Sequence, residues 1–240
     1  MKVLITGGAS GLGEALSRSL SSEQDLQVYA TYCHSEEKAK KIASEFSNLT
    51  MIKCDFGNAD ELSSLCEQIS EWDIDVLIHN AYSGTFLGKH FHKTDINQFQ
   101  EEFQRNVLPV LQLTQAAITH FRKKKFGKII NVLSAALVGN PPIGSAMYVA
   151  NKAYLQKMTQ LWATENARFN ISSNSISPAF MRTNFTDFMD ERMVEQIEQG
   201  HPLKKLLEPK EVAPAVLYFV RASQQVNGTD LLINAGSSIR

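Results

Sequence analysis

Apolar and polar positions along the 240-residue chain fall into two alternating rhythms. Short runs rich in Val, Ile, Leu and Tyr, each bounded by turn or polar residues, predict strands at 2–6, 27–32, 50–54, 76–79, 128–133, 171–177 and 230–234. Longer stretches with helical spacing predict helices at 11–22, 36–46, 60–72, 96–121, 148–169 and 209–220, with Ser35, Asp95 and Glu208-Pro209 as starts. This is the alternation of βαβ units. The predicted fold is a doubly wound α/β domain, a parallel seven-stranded sheet with helices on both faces. No repeat, low-complexity tract or linker divides it, so residues 1–240 are expected to form one domain.

The rhythm breaks once, between Pro178 and about residue 208. Phe180, Met181, Phe185, Phe188, Met189 and Met193 concentrate there, the later ones near helical spacing. A short amphipathic helix follows, either a substrate lid at about 180–208 or a helix docked on the core.

Composition narrows the class without choosing a function. Apolar residues at 43% and charged residues at 20% are those of an ordinary globular domain. A formal charge of -1 offers no global field to draw nucleic acid or anionic lipid, and neither is expected as a partner. Cys33, Cys54 and Cys66 match neither a disulfide framework nor a zinc-ligand pattern, which suits a reducing compartment. Met1 to Gly7 lacks the apolar core of a signal peptide, and no apolar stretch is long enough to cross a bilayer. A cytoplasmic location is the resulting expectation.

Chemistry enters at the end of the first strand. Thr6-Gly7-Gly8-Ala9-Ser10-Gly11-Leu12-Gly13 lies between that strand and a helix. Glycines there allow a tight turn and close backbone approach, while the amides and dipole of the helix attract a pyrophosphate. Gly7, Ser10, Gly11, Leu12 and Gly13 are therefore candidate dinucleotide contacts. Asp55-Phe56 follows the third strand, where a carboxylate could meet an adenine amino group or cap the turn before Gly57-Asn58. Asn80-Ala81 follows the fourth, to hold the turn, line the cofactor, or both. At the end of the second strand stands Thr31-Tyr32-Cys33-His34-Ser35, with no acid to bond ribose hydroxyls before Glu36. With Thr31, His34 and Ser35 near a 2'-phosphate, NADP(H) is favoured over NAD(H).

The second constellation is Tyr148-Val149-Ala150-Asn151-Lys152, with Ser134 just past the fifth strand. Four residues apart on a helix, Tyr148 and Lys152 share a face, and a nearby ammonium favours a phenolate. A carbonyl that receives hydride develops charge on oxygen, and two hydroxyls such as Ser134 and Tyr148 could stabilise and protonate it. Taken alone, a Tyr-x-x-x-Lys spacing is a frequent accident on helices.

Taken together and in this order, these motifs resemble the short-chain dehydrogenase/reductase family, in its single-domain Rossmann branch, over essentially the whole chain. The resemblance implies an NAD(P)-dependent oxidoreductase acting on a small carbonyl or alcohol substrate. Tyr148 would be its general acid/base and Ser134 would orient the carbonyl. Lys152 would bind the nicotinamide ribose and tune Tyr148, and Asn106, at a helix kink before Val107-Leu108-Pro109, would hold a relay water. Pro178, Phe180 and Thr183 would meet the nicotinamide. It also implies a homotetramer or homodimer built through the helices at 96–121 and 148–169 and the last strand. The apolar breadth of Val149, Ala150, Ala153, Leu155, Met158, Leu161 and Trp162 agrees with that.

The chain departs from the family's pattern at three places. Tyr82 and Ala179 stand where glycine is usual, and Ile233-Asn234-Ala235-Gly236 replaces an aspartate followed by paired glycines. Ala135 to Gly144, Tyr82 and Phe86 suggest a moderately apolar pocket. His90 and His92 read as solvated loop residues rather than metal ligands, and no metal site is expected. Arg122 to Lys125 reads as a helix C-terminus meeting its dipole. Two competing functions remain. A catalytically silent nucleotide sensor would be expected to have a broken Ser134-Tyr148-Lys152 set, and a nucleotide-sugar epimerase or dehydratase would carry a C-terminal substrate domain.

Overall fold

The computed structural model describes residues 1–85 and 87–239. Seven parallel strands, β1 (Lys2–Ile5), β2 (Gln27–Tyr32), β3 (Leu49–Lys53), β4 (Val76–His79), β5 (Gly127–Val132), β6 (Ile171–Pro178) and β7 (Asp230–Ile233), lie in the order β3-β2-β1-β4-β5-β6-β7. The order reverses between β1 and β4, opening a crevice beyond the carboxyl ends of the strands, where such sheets bind ligands.

Strand alternation sends successive side chains to opposite faces, and each face carries its own core. Val3, Ile5, Val28, Ala30, Ile78 and Ile176 pack under α1 (Gly11–Ser21) and α8 (Pro209–Arg221). Leu4, Leu77, Ile129 and Ile171 pack under α3 (Ala59–Glu71), α5 (Leu108–Lys124) and α6 (Ala146–Asn166). The remaining helices are α2 (Glu36–Glu45), α4 (Ile96–Asn106) and α7 (Glu191–Gly200). Asn58 caps α3 by accepting from Asp60 and Glu61 amides, and Asp95 caps α4 through Asn97.

The helix expected at 96–121 is two helices. α4 stops at Asn106, Val107 turns out of register, and Pro109, which has no amide hydrogen to donate, is accommodated in the first turn of α5. The expected kink is thus a full break. The helix expected at 148–169 begins two residues earlier and ends in a 3-10 turn at Ala167–Phe169.

β6 reads Ile-Ser-Ser-Asn-Ser-Ile-Ser-Pro, and every residue in it is buried. Segment 226–230 answers the side chains of Asn174, Ser175 and Ser177, while the buried Ser173 hydroxyl has no partner among the described residues. Ser175 and Ser177 hydroxyls donate to Asp230, Asn174 Nδ2 donates to the Val226 carbonyl, and the Thr229 amide donates to Asn174 Oδ1. The Lys128 ammonium, also buried, donates to the Phe219 and Ala222 carbonyls at the end of α8. After β7, Ala235 adopts φ +51, the left-handed region in which a side chain is strained.

Candidate active site

One cavity of about 1110 Å³ opens at the carboxyl ends of the strands. It is lined by Gly7, Ser10, Gly11, Leu12, Gly13, Thr31, His34, Asp55, Phe56, Asn80, Ala81, Asn106, Ser134, Tyr148, Lys152, Pro178, Phe180 and Thr183. The candidate catalytic and cofactor residues therefore face the same space, whereas of the expected wall at 135–144 only Ala135, Ala136, Pro142 and Ile143 reach it. Phe86, expected in its wall, lies outside the described residues.

The glycine loop is shaped from outside itself. The Gly7 amide donates to Thr31 Oγ1 at 3.0 Å, and the Ser17 hydroxyl donates to the Gly8 carbonyl at 2.9 Å. Asn80 Nδ2 donates to both the Thr6 and Gly7 carbonyls at 3.0 Å. Gly7 and Gly11 have positive φ, and a Cβ on Gly13 would sit 1.8 Å from the Gly7 carbonyl oxygen. Ser10 makes no side-chain cap, and Gly11, Leu12 and Gly13 open the first turn of α1 onto the cavity. A cradle with no room for a side chain at Gly8 or Gly13, ending on a helix N-terminus, fits a pyrophosphate.

Two of the open choices gain content here. Asp55 Oδ1 accepts from the Gly57 amide at 2.8 Å, so its carboxylate makes the turn as well as lining the cavity. Asn80 makes the turn with its side chain while Ala81 lines the space beside it.

At the other end, Ser134 follows β5, and Tyr148 and Lys152 project from the start of α6. Lys152 is buried, and its ammonium donates to the Val132 carbonyl at 2.7 Å. Burial alone pushes it down to about 8. Tyr148 departs from the sequence reading, which had its hydroxyl pulled down by Lys152. Burial pushes the Tyr148 hydroxyl up, and the hydrogen bond with Ser134 opposes this in part. The Lys152 ammonium is 5.8 Å from the Tyr148 ring centroid, and the carbonyl of Val132 is what it holds directly.

Asn106 is also used differently from the expectation. Its Oδ1 accepts from the Ser83 amide at 2.8 Å, and its Nδ2 donates to the Ser83 carbonyl and to Glu102 Oε2. The side chain thus fastens the loop after β4 to α4. Glu102 was missed in the sequence, although its i, i+4 spacing from Asn106 was the available signal. Burial pushes its carboxyl up.

The segment after β6 folds over this end as a 3-10 turn at Asn184–Thr186 and then α7. Thr183 abuts Gly11, whose Cβ would come within 3.2 Å of it, and Phe185 lies 6.1 Å from the Tyr148 ring. Met181, Met189 and Met193 line the cavity, whereas Phe188 is exposed. His90 and His92 sit on an exposed loop with ring centroids 5.9 Å apart. Among the described residues no cluster of three metal-ligating side chains occurs, and no helix is long and apolar enough to cross a membrane.

Comparison with known proteins agrees with this geometry. The profile of the enoyl-(acyl carrier protein) reductase family matches residues 7–238. The chain is 31% identical over 237 residues to the 3-oxoacyl-(acyl-carrier-protein) reductase of Rickettsia prowazekii (strain Madrid E), covering 97% of this chain and 95% of that one. It is 30% identical over 242 residues to the acetoacetyl-CoA reductase of Acinetobacter sp. (strain RA3849), covering 97% and 96%. A solved short chain dehydrogenase/reductase family protein superposes with a TM-score of 0.86 at 28% identity, covering 98% and 96%. With the match running from the glycine loop through Tyr148 and Lys152 to the last strand, the chain belongs to the short-chain dehydrogenase/reductase family of NAD(P)-dependent oxidoreductases.

Proposed function

We propose that the protein reduces the 3-oxo group of an acyl thioester with NADPH. The observation that carries this reading is the Ser134 and Tyr148 hydroxyl pair, joined by a hydrogen bond in the cavity that also holds the glycine cradle. Two hydroxyls suit an oxygen that gains charge, which is what carbonyl reduction creates. The names of the two curated relatives, both reductases of 3-oxoacyl thioesters, support the same substrate class.

A bound nicotinamide would supply the hydride; the steps left to the chain concern the proton and the geometry. Tyr148, kept neutral by its burial, is a proton donor to the nascent alkoxide. Ser134 donates to the same oxygen and holds it in reach. Lys152, anchored on Val132, holds the ribose hydroxyls and places a positive charge beside the reacting oxygen. Asn106 fixes the 80–84 loop that forms one wall. Gly7, Ser10, Gly11, Leu12 and Gly13 take the pyrophosphate, Asp55 and Phe56 the adenine, and Ala81, Pro178, Phe180 and Thr183 the nicotinamide side. Residues 180–208 serve as the lid over the acyl chain.

NADPH is preferred because Cys33, His34 and Ser35 line the cavity at the end of β2, while the first acid after them in the chain, Glu36, is paired with Lys40 at 2.8 Å, and the carboxylate that Cys33 meets, Asp55, is engaged in the turn with the Gly57 amide. Assembly as a homotetramer or homodimer would cover Tyr154 and Leu161, which α6 leaves exposed. A reducing cytoplasm suits three free thiols.

A second reading, reduction of a carbon–carbon double bond, follows from the description of the matched family profile. That reaction must protonate carbon, and the hydroxyl pair is placed for an oxygen. One experiment separates them: NADPH and NADH oxidation with acetoacetyl-CoA and with crotonyl-CoA. Turnover of acetoacetyl-CoA with NADPH supports the proposal. Turnover of crotonyl-CoA alone would replace it with the second reading, and a preference for NADH would overturn the cofactor choice.

A further inference from the structure

The loop after β4 carries Tyr82 into the middle of the reactive end. Its ring meets the Tyr148 ring at 75° with centroids 5.1 Å apart and the Phe185 ring at 76° and 5.7 Å. The Lys152 ammonium lies 5.0 Å from the Tyr82 ring centroid, within the range of a cation–π contact. The far end of the ring is tethered. The Tyr82 hydroxyl meets the Asn151 side chain on α6 and lies 3.5 Å from Glu102 Oε2, and the same Glu102 oxygen accepts from Asn106 at 2.8 Å. Gly84 makes room for that carboxylate, since a Cβ there would meet Glu102 Oε1 at 2.7 Å.

We propose that Tyr82 is a positioning residue for the Tyr148 and Lys152 pair: clamped to α4 through Glu102, its ring supports the Lys152 ammonium from one side and braces the Tyr148 ring from another. This rests on the reading of Tyr148 and Lys152 as the catalytic pair. Lys152 needs such a support because, among the described residues, no carboxylate comes within 4.0 Å of it, and burial disfavours its charge. The titratable groups around it are Tyr148 on its own helix, Tyr82, and His79 on β4, which is uncharged near neutral pH. Glu102 lies beyond the Tyr82 hydroxyl, and the lid contributes the neutral ring of Phe185. An electron-rich ring face is then the favourable electrostatic partner left for the ammonium besides the Val132 carbonyl.

Replacement of Tyr82 by leucine keeps the site apolar and filled but removes the π face. A cation–π contact at a desolvated site corresponds to a shift of about 0.5–1.5 pH units in the ammonium's titration. Loss of the ring lowers the pH at which Lys152 gives up its proton. The test has two readouts on the folded full chain: the basic limb of kcat/KM for acetoacetyl-CoA at saturating NADPH, and direct titration of Lys152. The titration uses competitive labelling with acetic anhydride and peptide mass spectrometry, with Lys152→Met as the blank. For Tyr82→Leu, both readouts should move to lower pH by about one pH unit. Tyr82→Phe, which keeps the ring but loses its hydroxyl tether, should move the limb by less than Tyr82→Leu does.

If Tyr82→Leu does not fold, Tyr82→Met makes the same comparison. Equal Lys152 titrations in all variants would overturn the proposal, as would a change confined to the size of substrate accepted, which a mere pocket wall would produce. If Lys152→Met keeps full activity, the catalytic reading fails instead, and the labelling titration still decides whether Tyr82 supports the ammonium.

Discussion

His79 gives the sharpest quantitative handle on this fold. It lies in β4 between the two reactive halves of the sheet and is 4% exposed. Its Nε2 is 2.8 Å from Thr114 Oγ1, and its Nδ1 has no hydrogen-bond partner. Protonation would bury a cation with one unpartnered N–H, close enough to Lys152 to feel its charge. Burial first and Lys152 second hold the imidazole down to about 3, from an ordinary value of 6.5. The sign follows from proton binding. The unfolded chain takes up a proton at this residue below 6.5 and the folded chain does not, so stability is lost as pH falls from 6.5 towards 3. Each pH unit in that window is worth about 1.4 kcal/mol, so roughly 2 kcal/mol is lost from this one residue between about pH 7.5 and about pH 5.

The perturbation is His79→Gln, which keeps an N–H for Thr114 and does not titrate. Denaturant unfolding of both proteins across this pH range gives two curves, and their difference is the quantity of interest. The other five of the six histidines, and all the carboxylates, are common to both and cancel. The wild type should lose about 2 kcal/mol more than the variant, or some 4–8 °C in Tm for a chain of this size. Parallel curves would refute the reasoning, because they would mean that His79 charges in the folded state at little cost.

Other outcomes follow from the same structure. Tyr148→Phe should lower kcat by roughly 100- to 10,000-fold while NADPH still binds in a fluorescence titration; undiminished turnover would remove Tyr148 from the reaction. Gly13→Ala must displace the Gly7 carbonyl, since the new Cβ would lie 1.8 Å from it. Overpacking of this kind costs about 1–3 kcal/mol and should be read as weakened NADPH binding, with an unchanged Kd as the contrary result. Ala235→Gly relieves a side chain held at φ +51 and should raise stability by about 0.5–1 kcal/mol in thermal unfolding; a lowered Tm would show that the alanine is not strained there.

Much of this was legible beforehand because the signals were periodic or local. The seven strands came from runs such as Val3-Leu4-Ile5 and Leu77-Ile78, whose bulk and flanking turns leave few alternatives. The glycine loop declared itself by its position between a strand and a helix. What sequence could not supply depends on contacts across space. β6 is polar at five of its eight positions, and residues more than fifty positions later meet several of its groups, Asn227 the Ser173 amide and Asp230 the Ser175 and Ser177 hydroxyls. The break at Val107 needed the separate registers of α4 and α5. The balance of burial and hydrogen bonding at Tyr148 is a property of the cavity rather than of its spacing from Lys152, so the expected phenolate did not follow. Tyr82 was visible as a departure from the usual glycine, but its contact with Lys152 and its tether to Glu102 were not.

The way the phosphate cradle is held has a consequence for protein engineering. The bonds that set its shape come from Thr31 on β2, Ser17 within α1 and Asn80 after β4. The eight residues of the loop are therefore not a portable cassette. Grafted onto another sheet without those three partners, they would be a flexible glycine-rich turn. Conversely, Ser17, which shapes the loop without lining the cavity, is a handle for retuning nucleotide affinity without touching the ligand's contacts.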